Sequence, residues 1–189
     1  MHKPTVFISI QKRYHARSLL RRGVIEQANQ ALSYSKQAIF AFHREEMDAG
    51  KKKLEQANKL FLECEKHIKK FPDLKEGAYK AALEEYAEAL LFQQYLENGK
   101  IGSIDPRAME ETCYLGGLCD MTGEIVRYAM LNVTKGRPEK VEHAFETVEM
   151  VIDFLLEIDL TGYLRTKFDQ AKNNLRRLEQ VLYDLSLRS

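Results

Sequence analysis

The stretch TGYLRTKFDQAKNNLRRLEQVLYDLSL, residues 161–187, decides the fold class. Its apolar residues Leu164, Phe168, Ala171, Leu175, Leu178, Leu182 and Leu185 recur every three or four positions, which lays them along one face of a helix. The same spacing returns in each segment towards the N-terminus. Residues 138–158 carry Val141, Phe145, Val148, Ile152 and Leu155; residues 113–134 carry Leu118, Ile125, Val126 and Ala129. Residues 73–97 carry Ala82, Tyr86 and Ala89; residues 46–70 carry Leu54, Ala57, Phe61, Cys64 and Ile68; residues 5–43 carry Ile10, Tyr14, Leu20, Val24, Ala28 and Ala31. No segment sustains the alternation of a strand. Prolines fall at the breaks: Pro4, Phe71-Pro72-Asp73 ending one helix and starting the next, Asp105-Pro106 as N-cap and first helical residue, and Gly136-Arg137-Pro138. The reading is an all-α bundle of six or seven helices forming a single domain over residues 1–189, the seventh being a short piece at 105–112. A helix over residues 5–43 reaches roughly 55 Å at 1.5 Å per residue. A helix that outruns its own bundle packs on another subunit, so a homo-oligomer is expected.

Composition narrows the function classes. The 189 residues contain 29 Lys+Arg and 28 Asp+Glu, a net charge of +1, so global charge does not announce a nucleic-acid protein. Ten Gly and four Pro disfavour the many turns of sandwiches and barrels. No apolar run approaches the roughly 20 residues that cross a bilayer, so no membrane partner is expected. Cys64, Cys113 and Cys119 form no CxxC pair and no zinc set; they point to a reducing compartment, and a cytoplasmic location is expected. The first 25 residues are basic with no acid before Glu26, as in an organellar transit peptide, but the helical pattern runs on past Gly23 without a cleavage-like break.

Three patterns carry chemistry. Glu85 and Glu88, at i and i+3, lie in the row Ala78, Ala81, Glu85, Glu88, Phe92, Tyr95, where a solvated row would be mixed with Lys or Gln. Asp120 and Glu124, at i and i+4, sit among Leu118, Cys119, Met121, Ile125 and Val126, beside Gly123, which offers close approach to another backbone. Acids in apolar surroundings are paired or metal-bound, because an unpaired buried charge is costly. Glu85, Glu88, Asp120 and Glu124 are therefore a candidate all-oxygen set for Mg²⁺ or Mn²⁺. The competing readings are an exposed acidic patch for Glu85 and Glu88, and, for the second pair, a salt bridge, Glu124 with Arg127 or Asp120 with a distant arginine. No histidine follows a glutamate by three, which disfavours a di-iron bundle. Third, Arg13, Arg17 and Arg21 align at i, i+4 and i+8 with Tyr14 and His15 interleaved. Aligned guanidiniums repel one another unless an anion meets them, and a phosphate backbone is the natural partner. The alternative is a solvated face or pairing with acids of another subunit. Arg137 and His143 have the spacing of an Arg/His pair used by some helical ribonucleases, and His43-Arg44 reads as a pair capping the end of the first helix.

The chain resembles the translin and translin-associated factor X family over nearly its whole length. Ser35-Lys36-Gln37-Ala38-Ile39-Phe40-Ala41-Phe42-His43-Arg44 is similar to the end of the first helix of factor X, and Glu85-Tyr86-Ala87-Glu88-Ala89-Leu90-Leu91-Phe92-Gln93 to its acidic helix. Tyr114-Leu115-Gly116-Gly117-Leu118-Cys119-Asp120-Met121-Thr122-Gly123-Glu124-Ile125-Val126-Arg127 is the most specific match. The ending Leu178-Glu179-Gln180-Val181-Leu182-Tyr183-Asp184-Leu185-Ser186-Leu187-Arg188 looks more like translin. The resemblance implies an all-helical protomer assembling into a hollow, octamer-like shell. It also implies single-stranded RNA or DNA binding, and a Mg²⁺-dependent endoribonuclease site that falls on Glu85, Glu88 and Asp120, with Glu124 as an accessory.

The expected activity is metal-dependent endonucleolytic cleavage of single-stranded RNA inside an oligomeric shell. Carboxylate-held metal would activate water, and Arg13, Arg17 and Arg21 would hold the strand. The rival is a non-catalytic RNA- or DNA-binding oligomer whose acids are structural.

Overall fold

The structure is a computed structural model and describes residues 3–75, 77–102, 104 and 109–187. Its order is α1 (Thr5–His43), α2 (Met47–Ile68), a 3₁₀ turn (Pro72–Leu74), α3 (Gly77–Asn98), α4 (Glu111–Thr134), α5 (Lys140–Leu156) and α6 (Gly162–Ser186). Among the described residues there is no strand. Pro72 opens the 3₁₀ turn and not α3, so one break is longer than its sequence suggested. Asp105-Pro106 lies outside the described residues, and of the short 105–112 piece, Glu111 and Thr112 belong to α4.

Helix α1 packs on α2 and α3, α3 on α4, and α4 on both α5 and α6, which also pack on each other. One core gathers Phe42, Leu91, Phe92, Met121, Ile125 and Leu178; a second gathers Val24, Ala28, Ala57, Phe61 and Tyr79. The buried positions of α1 run from Val24 to His43. Its N-terminal half leaves Phe7, Ile10, Tyr14 and Leu19 exposed, as expected of a helix that outruns its bundle.

The contact that positions the site is the crossing of α3 and α4. A Cβ added at Gly117 would lie 2.7 Å from the Glu84 carbonyl oxygen and 2.8 Å from the Glu88 backbone nitrogen. Only glycine lets the two backbones approach so closely. Gly123 does not have the close-approach role read from sequence: a Cβ there would meet only the Asn174 side chain, at an ordinary 3.5 Å.

The turn after α1 is pinned from the turn that follows α4. Glu45, at φ 65°, accepts from Lys135 Nζ at 2.9 Å and Arg137 at 2.5 Å. Those two cations hold its carboxyl down at about 2. Arg137 is thereby engaged, while His143 stacks on Tyr95 with ring centroids 5.4 Å apart, so the Arg137/His143 spacing builds no paired site.

Candidate functional site

The Gly117 crossing brings the acidic residues of α3 and α4 together. Glu88 is 8% exposed, and among the described residues no cation forms an ion pair with it. Burial, reinforced by the nearby Glu85, Asp120 and Glu124 and opposed by Lys167, pushes its carboxyl up to about 9. Glu85 is also raised by burial, against the pull of Lys36, whose Nζ lies 3.7 Å from Oε2, with Asp120 and Glu124 reinforcing the rise. The four acids singled out in the sequence thus form one electrostatic cluster.

The structure adds partners to that cluster. Lys167 of α6, 9% exposed, ion-pairs with Asp120 Oδ2 and lies 2.7 Å from Glu84 Oε1. Tyr163 donates its hydroxyl to the same Glu84 oxygen at 2.8 Å. Burial raises the Asp120 carboxyl, and the lysine opposes the rise. Burial also opposes the charge on Lys167, but Asp120, Glu84 and Tyr163 hold its ammonium above the usual lysine range. Across the cluster, His43 Nε2 hydrogen-bonds Glu124 Oε2, and Arg127 Nη1 lies 3.6 Å from the same oxygen. The His43 ring packs on Phe92 with centroids 4.9 Å apart, and its buried Nδ1 has no hydrogen-bond partner among the described residues. His43 is therefore an inward residue and not a helix-capping one; only Arg44 turns outward, onto Glu46 at 2.9 Å.

The salt-bridge reading holds for Asp120 and Glu124, and Glu85 also has a cation beside it, Lys36 at 3.7 Å. Glu124 does meet Arg127, and Asp120 does meet a distant cation, a lysine and not an arginine. Glu88 stands apart from both. Among the described residues no three His, Cys, Asp or Glu side chains are already gathered as a metal cage. The donor chemistry nonetheless suits a hard cation: the side chains are all oxygen donors, and the most buried of them, Glu88, forms no ion pair among the described residues.

Sequence reasoning missed Glu84, Tyr163, Lys167 and His43. Two left a signal. Lys167 occupies the apolar face of α6 with Leu164, Phe168 and Ala171, and His43 follows Ile39 by four on the buried face of α1.

The basic stripe differs from its expectation. Arg17 is tied to Asp73 of the 3₁₀ turn, its Nε donating to Oδ2 at 2.9 Å, and its guanidinium lies 5.8 Å from the Phe71 ring centroid. Tyr14, Arg17, Arg21 and Asp73 line a recess of about 270 Å³. Arg17, the middle residue of the stripe, therefore meets an acid of its own chain. At 1.5 Å per residue, Arg17 lies about 39 Å along α1 from His43.

The Translin family profile matches residues 20–189. The chain belongs to the Translin family. The four motifs that carry the resemblance fall inside the matched span of this Translin-family chain, whereas Arg13 and Arg17 precede it. The chain is similar to the translin-associated protein X homolog of Schizosaccharomyces pombe, at 23% identity over 188 residues, covering 89% of this chain and 81% of that protein. Its fold is similar to that of apo-NeC3PO, with a TM-score of 0.88 at 24% identity, covering 97% of this chain and 98% of that one. It is also similar to AfC3PO in complex with duplex RNA, with a TM-score of 0.86 at 20% identity and the same coverage.

Proposed function

We propose that this Translin-family chain is a Mg²⁺- or Mn²⁺-dependent endoribonuclease acting on single-stranded RNA within a homo-oligomer, the octamer being the assembly its family resemblance implies. The observation that carries the reading is Glu88. It is a buried carboxyl that forms no ion pair among the described residues, beside Glu85, Asp120 and Glu124. Burial and the neighbouring acids keep its carboxyl protonated when no ligand is present, and a bound cation supplies the positive charge that lets it ionise. Glu85, Glu88, Asp120 and Glu124 would hold the cation. When bound, it supplies water activation and stabilises charge developing at phosphorus.

The chain's own residues set the rest. Lys167 restrains Asp120 through Oδ2, and Glu84 with Tyr163 anchors Lys167 in turn. His43, wedged on Phe92, fixes one oxygen of Glu124. These contacts keep the α4 acids oriented before any ligand arrives, and such support is what metal sites require of the groups behind their ligands. The RNA seen with AfC3PO supports RNA as the substrate class. That RNA is a duplex, so cleavage of one sequence in single- and double-stranded form tests the strand preference directly.

A second reading has its own observation. Lys167 and His43 already pair with Asp120 and Glu124, which is how structural acids behave in a binding-only RNA or DNA oligomer. One experiment separates the two. Single-stranded RNA is incubated with the parent chain and with Glu88→Gln, in Mg²⁺ and in EDTA, while Mn²⁺ binding is followed by electron paramagnetic resonance. Loss of both cleavage and Mn²⁺ binding in the folded variant supports catalysis. A parent chain that neither cleaves nor binds Mn²⁺ establishes the binding-only reading.

A further inference from the structure

The predicted strand-holding arginines and the acid cluster lie at opposite ends of α1. A strand held only at Arg17, about 39 Å along the helix from His43, leaves the phosphates beside the acids without a cation. The structure offers another surface there. A groove of about 380 Å³ runs between α4 and α6, with Gly123, Val126, Arg127 and Met130 on one side and Asn174 and Arg177 on the other. It begins beside the acid cluster, because Arg127 Nη1 lies 3.6 Å from Glu124 Oε2.

Its two arginines differ in a useful way. Arg127 is held: Glu124 meets it on one side, and its guanidinium lies 5.2 Å from the Phe40 ring centroid on the other. Arg177 is exposed, and among the described residues no carboxylate pairs with it. A fixed guanidinium beside the acids and an unpaired one across an apolar floor give the charge pattern that a phosphate backbone complements. We infer that the α4–α6 groove holds the RNA strand next to the acid cluster, with Arg127 and Arg177 contacting its phosphates. This assignment rests on the acid cluster being the cleavage site proposed above.

The test measures binding separately from cleavage. A labelled mixed-sequence single-stranded RNA is titrated by fluorescence anisotropy in EDTA, over a series of salt concentrations, with the full chain. Arg177→Glu should raise Kd severalfold and lower the log–log salt slope by roughly 0.7 for each phosphate that the variant no longer neutralises. Arg177→Lys should retain most of the affinity. Circular dichroism and light scattering confirm that both variants match the parent in fold and mass. An Arg177→Glu isotherm and slope equal to the parent's overturn the inference. Cleavage by Glu88→Gln in Mg²⁺ is measured alongside. If Glu88→Gln cleaves normally while Arg177→Glu binds weakly, the catalytic reading fails and the groove stands as a binding surface. If Glu88→Gln loses cleavage while Arg177→Glu binds normally, the groove fails and the catalytic reading stands.

Discussion

Glu88 has a testable cost in the absence of metal. Its carboxyl is pushed up to about 9 by burial and by Glu85, Asp120 and Glu124, against an ordinary value of 4.5. Between those values the folded chain holds a proton that the unfolded chain has released. Linkage then makes stability fall as pH rises through that window. Glu88→Gln removes this slope. The melting temperature of the metal-free variant should exceed the parent's at pH 8 and converge on it near pH 4.5. Each stabilisation of about 1 kcal/mol corresponds to about 2–4 °C for a chain of this size. Equal melting temperatures at both pH values would show that Glu88 is not desolvated. Lys167 makes the complementary case. Lys167→Met strands Glu84 and Asp120 without their cation, and breaking such a buried pair costs about 3–5 kcal/mol. Denaturant unfolding should show that cost shrinking when Asp120→Asn is already present. Additive effects would mean that the ion pair contributes little.

At the scale of the helices, the crossing of α3 and α4 decides whether the acids meet. Gly117→Val would drive side-chain atoms into the Glu84 carbonyl and the Glu88 backbone nitrogen, which cannot give way as a flexible side chain does. Overpacking of this kind costs about 1–3 kcal/mol or more, and the separation of the helices should also weaken Mn²⁺ binding. Gly123→Ala meets only Asn174 and removes a helix-interior glycine, so it should be neutral or stabilising by up to about 1 kcal/mol. Chemical denaturation of the two variants checks both signs. This pair also shows what was legible in the sequence. Apolar spacing gave the helices and placed Glu85 and Glu88 on one row, because 3.6-residue periodicity is a local property. Which glycine lies under a neighbouring backbone depends on the crossing of two helices, and spacing within one helix carries no record of it. The pairing of Lys167 was hidden for the same reason. α6 alone shows a lysine on its apolar face, but its partners Asp120 and Glu84 lie on other helices. Arg17 shows the same limit: its stripe runs along α1, but the acid that reaches it, Asp73, comes from the 3₁₀ turn.

For the whole molecule, the uncovered half of α1 bears on both assembly and activity. Phe7, Ile10 and Tyr14 fall at i, i+3 and i+7 and are 60%, 51% and 71% exposed, a continuous apolar stripe on a helix that leaves its own bundle. Exposed stripes of this kind mark interaction surfaces, and a second copy of the chain is the partner always present at the chain's own concentration. Light scattering should return a mass well above that of a dimer at micromolar protein. Phe7→Lys with Ile10→Glu should lower that mass while leaving helicity unchanged, because neither residue belongs to a buried core. The acid cluster lies at the other end of α1 and draws its groups from within one chain, so Mn²⁺ binding should survive dissociation. RNA binding should weaken if the strand spans neighbouring subunits, since each subunit then supplies only part of the contact. A parent chain that is monomeric, or a double variant of unchanged mass, would place the subunit contacts elsewhere and leave the length of α1 without a role in assembly.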